Sequence, residues 1–188
     1  MRPASAGVKL TYDDFVLFPD DGRRHELIDG EHYVTPSPNT KHQRVLANLH
    51  LMMGSWLETH PIGEVFFAPY DVVLSHFDIV EPDLLYFSAE RAAEVLTQLH
   101  ARGAPDIVVE IASPGTRKRD ETIKRTLYER TGTIEYWVID PKIDVVRVYR
   151  RDGDRFGRVT ELSREAGDVL TTRLLPGLEM PLTRVFRK

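Results

Sequence analysis

The 188-residue chain has no cysteine. Disulfide frameworks, thiolate zinc sites and cysteine nucleophiles are thereby excluded. It also has no apolar run near the roughly 18 residues that a membrane span requires. Its opening residues, MRPASAGVKLTYDDF, lack the apolar stretch of a secretory signal. These absences predict a soluble, cytoplasmic protein with no membrane partner. Nor is there an excess of positive charge. Lys and Arg number 25 against 29 Asp and Glu, a formal charge of −4, which taken alone argues mildly against a protein that coats nucleic acid. GxxxxGK[ST], GxSxG and HExxH are all missing, as are internal repeats and low-complexity tracts.

What is present suits an ordinary folded domain. The hydrophobic fraction is 41% and the charged fraction 29%, which predicts one domain over residues 1–188 with residues 1–10 as a loose arm. Basic residues are clustered. Arg117, Lys118, Arg119, Lys124, Arg125 and Arg130 occupy one segment, and Arg147, Arg150, Arg151, Arg155 and Arg158 another. An acidic metal pocket beside basic ridges gives this distribution, and so does a solvated helix face.

The pattern along the chain alternates between helical and strand periods. Thr11 caps a short helix over Tyr12 to Leu17. Asp29-Gly30 between two strand-like runs predicts a hairpin. Asn39 or Thr40 caps a helix from about Lys41 to Thr59, with Val45, Leu49, Met52, Met53 and Trp56 at helical spacing. Strands follow over Glu64–Leu74 and Ile79–Phe87, the second with Pro82 at an edge or bulge. A short helix spans Ala89–Leu99. Asp106–Ala112 reads as a strand buried on both faces. Ser113-Pro114-Gly115-Thr116 turns into a helix from Arg117 or Arg119 to Arg130. Ile134–Asp140 is another central strand, Val145–Tyr149 and Phe156–Leu162 a hairpin around Asp152-Gly153, and the tail mostly loop with a short strand. The sum is an α/β (α+β) domain: a mixed sheet flanked by helices, with added β-hairpins.

Glu110 is the residue most at odds with its surroundings. It sits inside IVVEIA, where an unpaired carboxylate is costly to bury. Either it lies near the strand end and pairs with an arginine, or it serves a cation. Asp83 follows Pro82 near the start of the preceding main strand. If the two strands are neighbours, the two acids converge at one end of the sheet and repel unless a cation or proton intervenes. Mg²⁺ is held by one or two carboxylates plus water and substrate phosphate oxygens, an arrangement suited to phosphodiester hydrolysis. Asp120, Lys124 and Tyr128 are spaced i, i+4, i+8 and share a helical face. From it Lys124 can orient water or stabilise charge, or merely form an exposed pair with Asp120.

Glu26-Leu27-Ile28-Asp29-Gly30-Glu31, Pro36-Ser37-Pro38, His42-Gln43, Pro82-Asp83-Leu84, APDIVVEIASPGT (Ala104 to Thr116), Asp120, Lys124, Leu127-Tyr128, EYWVID (Glu135 to Asp140), Pro141 and Leu175-Pro176-Gly177-Leu178 together resemble the Uma-two family of endonucleases. The resemblance runs from about residue 10 to about residue 185. It implies a restriction-endonuclease-like fold with a variant PD-(D/E)xK centre, in which Pro82-Asp83 stands for PD and Glu110 for the second acid. Alanine at position 112 occupies the usual lysine place, and Lys124 on the following helix is the matching lysine. The implied protein is a DNA endonuclease using Mg²⁺ or Mn²⁺, with Asp83 and Glu110 as metal ligands. His42, Gln43, Glu31, Asp120 and Tyr128 are candidate supporting residues; Glu26, like Glu31 in the early hairpin, either reaches the pocket or faces solvent. Arg117, Lys118, Arg119 and Arg125 are candidate phosphate contacts, and a homodimer is expected because double-strand cleavage needs two sites. Two other readings share the fold: a non-catalytic nucleic-acid-binding or regulatory module, and a hydrolase of some other phosphorylated substrate.

Overall fold

Asp29 and Gly30 both adopt positive φ, 53° and 75°, the backbone that a two-residue hairpin turn demands. They join β1 (Arg24–Ile28) to β2 (Glu31–Thr35), paired from Arg24↔Thr35 to Ile28↔Glu31. The computed structural model describes residues 8–113 and 115–188. The first seven residues of the expected arm lie outside that range. Residues 9 and 10 are docked rather than loose: Lys9 pairs with Asp29, and the Leu10 N–H donates to Gly30 O at 2.9 Å. The expected first helix is shorter than its pattern, α1 (Tyr12–Phe15), and begins with a Thr11–Asp14 capping box.

The long helix α2 (Thr40–Thr59) begins where Asn39 Oδ1 accepts from the His42 N–H at 3.0 Å. The two longer strands expected next are each broken. Glu64–Leu74 becomes β3 (Gly63–Phe67) and β4 (Val72–Ser75); Ile79–Phe87 becomes β5 (Asp78–Val80) and β6 (Leu84–Ser88). Each break contains a proline, Pro69 or Pro82, which has no N–H to offer a ladder. The halves belong to different sheets, so Pro82 marks a crossing between sheets and not an edge or bulge. The expected helix after β6 is also shorter, α3 (Ala89–Val95), capped by Ser88. Next come β7 (Ile107–Ile111) and α4 (Arg117–Arg119). A π-helical turn (Asp120–Lys124) continues α4 into α5 (Arg125–Thr131), which ends on Gly132 in the left-handed conformation. Pro114 of the preceding turn lies outside the described residues; Ser113 and Thr116 hydrogen-bond to one another across it.

The rest of the chain supplies β8 (Glu135–Asp140), β9 (Val145–Asp152), β10 (Arg155–Phe156), β11 (Thr160–Ser163), β12 (Val169–Leu170), β13 (Met180–Pro181) and α6 (Leu182–Val185). The predicted second arm of the hairpin is thus two strands, both paired with β9. Among the described residues, a seven-stranded sheet runs β10-β9-β8-β7-β6-β3 with β11 on β9, and a four-stranded sheet runs β2-β1-β5-β4. Only β7–β8 is parallel in the larger sheet; β6–β7 and β8–β9 are antiparallel.

Both faces of the larger sheet are covered. Leu84, Tyr86, Val109, Ile111, Trp137 and Ile139 pack with Val45, Leu49 and Met53 of α2. The alternate residues Leu85, Phe87, Val108, Tyr136 and Val138 pack with Leu127 and Tyr128 of α5. The two-residue period of the strand therefore turns Glu110 toward the α5 side.

Two glycines separate close packing from helix propensity. A Cβ on Gly63 in β3 would lie 2.2 Å from the Phe87 carbonyl oxygen, whereas one on Gly54 in α2 meets nothing within 4 Å. Gly63→Ala is expected to cost about 1–3 kcal/mol. Gly54→Ala is expected to add up to about 1 kcal/mol. Urea unfolding of the two variants checks the opposite signs.

Candidate active site

The register of β6 and β7 pairs Leu84 with Val109. Asp83, one step before Leu84, and Glu110, one step after Val109, therefore lie at the same end of two adjacent strands. The Glu81-Pro82-Asp83 junction between β5 and β6 is also where the smaller sheet meets the larger, so β1 is brought alongside. Arg24 and Glu26, two apart in β1, both point into this corner. The first turn of α2 brings His42, and the π turn brings Asp120 and Lys124.

A cavity of about 210 Å³ results, lined among others by Arg24, His42, Asp83, Glu110, Arg119 and Lys124. Asp83 is buried and fully engaged: Oδ1 accepts from Arg24 Nη1 at 2.8 Å, and Oδ2 lies 3.1 Å from His42 Nε2 and accepts from the Ile111 N–H at 2.8 Å. Glu110 Oε1 accepts from Lys124 Nζ at 2.8 Å and from the Tyr128 hydroxyl at 2.9 Å. Lys124 Nζ is also 2.8 Å from Glu26 Oε1. Glu26 in turn accepts from the Glu81 N–H at 3.1 Å and lies 3.5 Å from Arg119. Asp83, Glu110 and Lys124 thus converge on one cavity. Glu110 is paired with Lys124 and not with an arginine, and Lys124 does not form the exposed pair with Asp120: both residues are buried.

One buried ammonium sits between two carboxylates, and the two acids respond differently. Burial opposes the ionised form of Glu26, but the Lys124 charge and hydrogen bond, the Glu81 N–H and Arg119 outweigh it and hold its pKa below the usual range. Burial pushes Glu110 up to about 8; Lys124 resists, while Asp120, Asp83 and Glu26 add to the push. Burial would lower Lys124, yet Glu110, Glu26 and Asp120 raise it, so the ammonium persists. Burial would also raise Asp83, but His42, Arg24 and the Ile111 N–H hold it at about 2. Glu81 rises to about 7, mainly through burial, against the pull of Arg24.

Four carboxylates (Glu81, Asp83, Glu110, Asp120) line the cavity, and a fifth, Glu26, pairs with Lys124 next to it, against three permanent cations (Arg24, Arg119, Lys124). Glu81 Oε1 and Asp120 Oδ1 are buried without a hydrogen-bond partner among the described residues. A carboxylate-rich lining with spare oxygen acceptors, beside the His42 ring, fits a hard divalent cation. Among the described residues no three His, Asp or Glu side chains form a complete metal-binding group, so a cation here would rely on one or two carboxylates plus water and substrate oxygens. Asp83 and Glu110 are the residues that could hold it.

The other candidates divide. His42, Asp120 and Tyr128 are in the cluster. Gln43 is exposed and lines a wider neighbouring groove. Glu31 does not reach the cavity: β2 points it outward, where it accepts from the Tyr33 hydroxyl at 2.7 Å. The four candidate phosphate contacts do not form one exposed strip. Arg117 binds Asp140 at 2.5 Å, Arg119 turns inward to Thr35 at 3.0 Å, Arg125 lies over the Tyr149 ring, and Lys118 is exposed. The helix spreads them around its axis, and buried acids capture two of them.

A model of the Uma2 family, described as "Putative restriction endonuclease", matches residues 12–183. The chain belongs to the Uma2 family. A crystal structure from Anabaena variabilis ATCC 29413, described as "a putative nuclease belonging to DUF820", superposes on this Uma2 chain with a TM-score of 0.79 at 21% identity, covering 94% of this chain and 97% of that one. At that identity the likeness is one of fold, the mixed sheet flanked by helices. No curated protein matches in sequence.

Two features of this Uma2 site were not singled out by motif: Arg24 and Glu81. The only available signal for Arg24 was its place two residues before Glu26 on one strand face. Glu81 adjoins Pro82-Asp83 and reads as part of a strand.

Removing the shared ammonium takes from Glu110 its one cationic partner among the described residues and from Glu26 its nearest one. Lys124→Met is expected to lower stability by about 3–5 kcal/mol. Adding Glu110→Gln is expected to restore at least roughly 1 kcal/mol of that loss. A double-variant cycle by urea unfolding measures this; a Lys124→Met cost below about 1 kcal/mol contradicts the assigned role.

Proposed function

We propose that this Uma2 chain is a Mg²⁺- or Mn²⁺-dependent endonuclease that hydrolyses DNA phosphodiester bonds. One observation carries the reading: Asp83 and Glu110, from adjacent antiparallel strands, meet beside the buried Lys124 in a cavity whose acids outnumber its cations. A bound divalent ion would supply an activated water and stabilise charge on the phosphoryl oxygens.

The chain's own groups do the rest. The Ile111 N–H and His42 fix the orientation of Asp83. Tyr128 and Lys124 fix Glu110 through one oxygen, leaving Oε2 without a hydrogen-bond partner among the described residues. Lys124 keeps a positive charge at the cavity wall, where it can stabilise charge that develops on a phosphate. Arg119 lines the same cavity, and Lys118 is exposed on the same helix; both can meet phosphate oxygens. A groove of about 750 Å³ bordered by Arg23, Arg24, Gln43 and Phe67 adjoins the cavity and gives a strand room to approach. Cutting both strands requires two sites, hence a two-fold pair of chains in solution.

Full engagement of Asp83 by protein groups and the charge of −4 favour a second reading, a nucleic-acid-binding module without catalysis. The two separate in a plasmid assay. Wild-type protein with Mn²⁺ or Mg²⁺ is expected to nick and linearise supercoiled DNA, and chelation is expected to stop it. Asp83→Asn and Glu110→Gln are expected to slow cleavage by about 10²–10³-fold, a loss typical of removing one charge-stabilising group, while thermal melts show them folded. Intact DNA, with affinity that falls as salt rises, supports the binding module instead. If small phosphodiesters are cleaved and DNA is not, the substrate is a different phosphorylated compound.

A further inference from the structure

The three partners of Asp83 differ in kind. The Ile111 N–H belongs to the backbone of a buried strand, and His42 is buried in the capped first turn of α2. Both are parts of the framework. Arg24 stands at the open end of the β1–β2 ladder, opposite Thr35. Its side chain keeps 20% of its surface exposed, and it lines both the cavity and the adjoining groove. Its Nη1 takes Asp83 Oδ1 at 2.8 Å, and its Nε lies 3.6 Å from Glu81 Oε1. The guanidinium therefore stands on the one oxygen of Asp83 that the framework leaves open. A divalent ion taking that oxygen would meet a like charge at contact distance, and two cations cannot share that position at low cost.

We propose that Arg24 is an exchangeable counterion: it neutralises Asp83 in the metal-free site and swings into the adjoining groove when a divalent cation binds. The proposal rests on the metal-dependent reading above. His42 and the Ile111 N–H keep Asp83 in place during the exchange, so only one side chain moves. The groove holds the space it needs. Released there, the planar fork of donors faces the approach path of a substrate phosphate, which it can bind in bidentate fashion. Cation binding and substrate binding are thereby coupled: the ion frees the arginine that the phosphate requires.

Mn²⁺ binding measured by electron paramagnetic resonance, without DNA, tests this directly. Arg24→Gln is expected to bind Mn²⁺ on the order of ten-fold tighter than wild type, within the ordinary range of coupling between two sites, with Arg24→Lys between them. The metal-free melting temperature of Arg24→Gln is expected to fall and its rise with Mn²⁺ to exceed that of wild type. If Arg24→Gln does not fold without metal, Arg24→Lys against wild type carries the comparison. In wild type, Mg²⁺ is expected to shift the Arg24 Nε–Hε NMR signal and speed its exchange with solvent. Mn²⁺ affinity unchanged or weakened in the Arg24 variants, while Glu110→Gln abolishes wild-type binding, overturns the exchange and leaves the metal site standing. No Mn²⁺ binding by wild type or either Arg24 variant removes the metal-dependent reading and the exchange with it.

Discussion

The ammonium of Lys124, buried between Glu26 and Glu110 at 2.8 Å from each, is the contact on which the site depends. It joins three parts of the molecule. Glu26 belongs to the four-stranded sheet, Glu110 to the seven-stranded sheet, and Lys124 to the helix that covers both. None of the three charges is tolerable there alone, because each would forfeit hydration with nothing in exchange. Together they fix the corner where the sheets meet, and with it the cavity. The π turn over Asp120–Lys124 widens the helix at this point, a distortion frequently found where a helix serves a site.

Asp83 owes its place to a different device. The chain leaves the smaller sheet after Val80 and enters the larger at Leu84. Pro82 cannot extend either ladder, so the three residues between strands are released from sheet pairing, and Glu81 and Asp83 line the cavity. Ala68-Pro69 lies in the reverse crossing two connections earlier, between β3 and β4, and the Ala68 N–H donates to the Asp83 carbonyl at 3.2 Å. The two crossings thus brace each other. A relative with 21% identity keeps the fold, as expected when the architecture rests on patterns of burial and on turns more than on particular side chains.

The corner is not arranged for stability alone. Five acids share three permanent cations, and burial pushes Glu110 and Glu81 well above the usual carboxylate range. Hydrophobic residues of the same size would pack there at lower cost. Ionisable groups crowded into an otherwise apolar junction are the pattern expected of a functional site, and the same acids draw Arg24 and Arg119 inward instead of leaving them on a basic surface.

The sequence by itself determined the elements that rest on local physics. Asp29-Gly30 forms its turn because few other pairs accept two positive φ angles, Asn39 caps α2 through its own side chain, and IVVEI and EYWVID become buried strands because an unbroken apolar run must be covered on both faces. The oddity of Glu110 in such a run was equally legible, since a buried carboxylate is costly wherever it occurs. Tertiary structure decided the rest. That Glu64–Leu74 and Ile79–Phe87 each split between two sheets, that Arg24 holds Asp83, that Glu26 and not Glu31 reaches Lys124, and that Arg117 and Arg119 bind acids all depend on which distant segments become neighbours. Local pattern reports a residue's preferred backbone and exposure; the partner of a charge is fixed only when the sheets close around it.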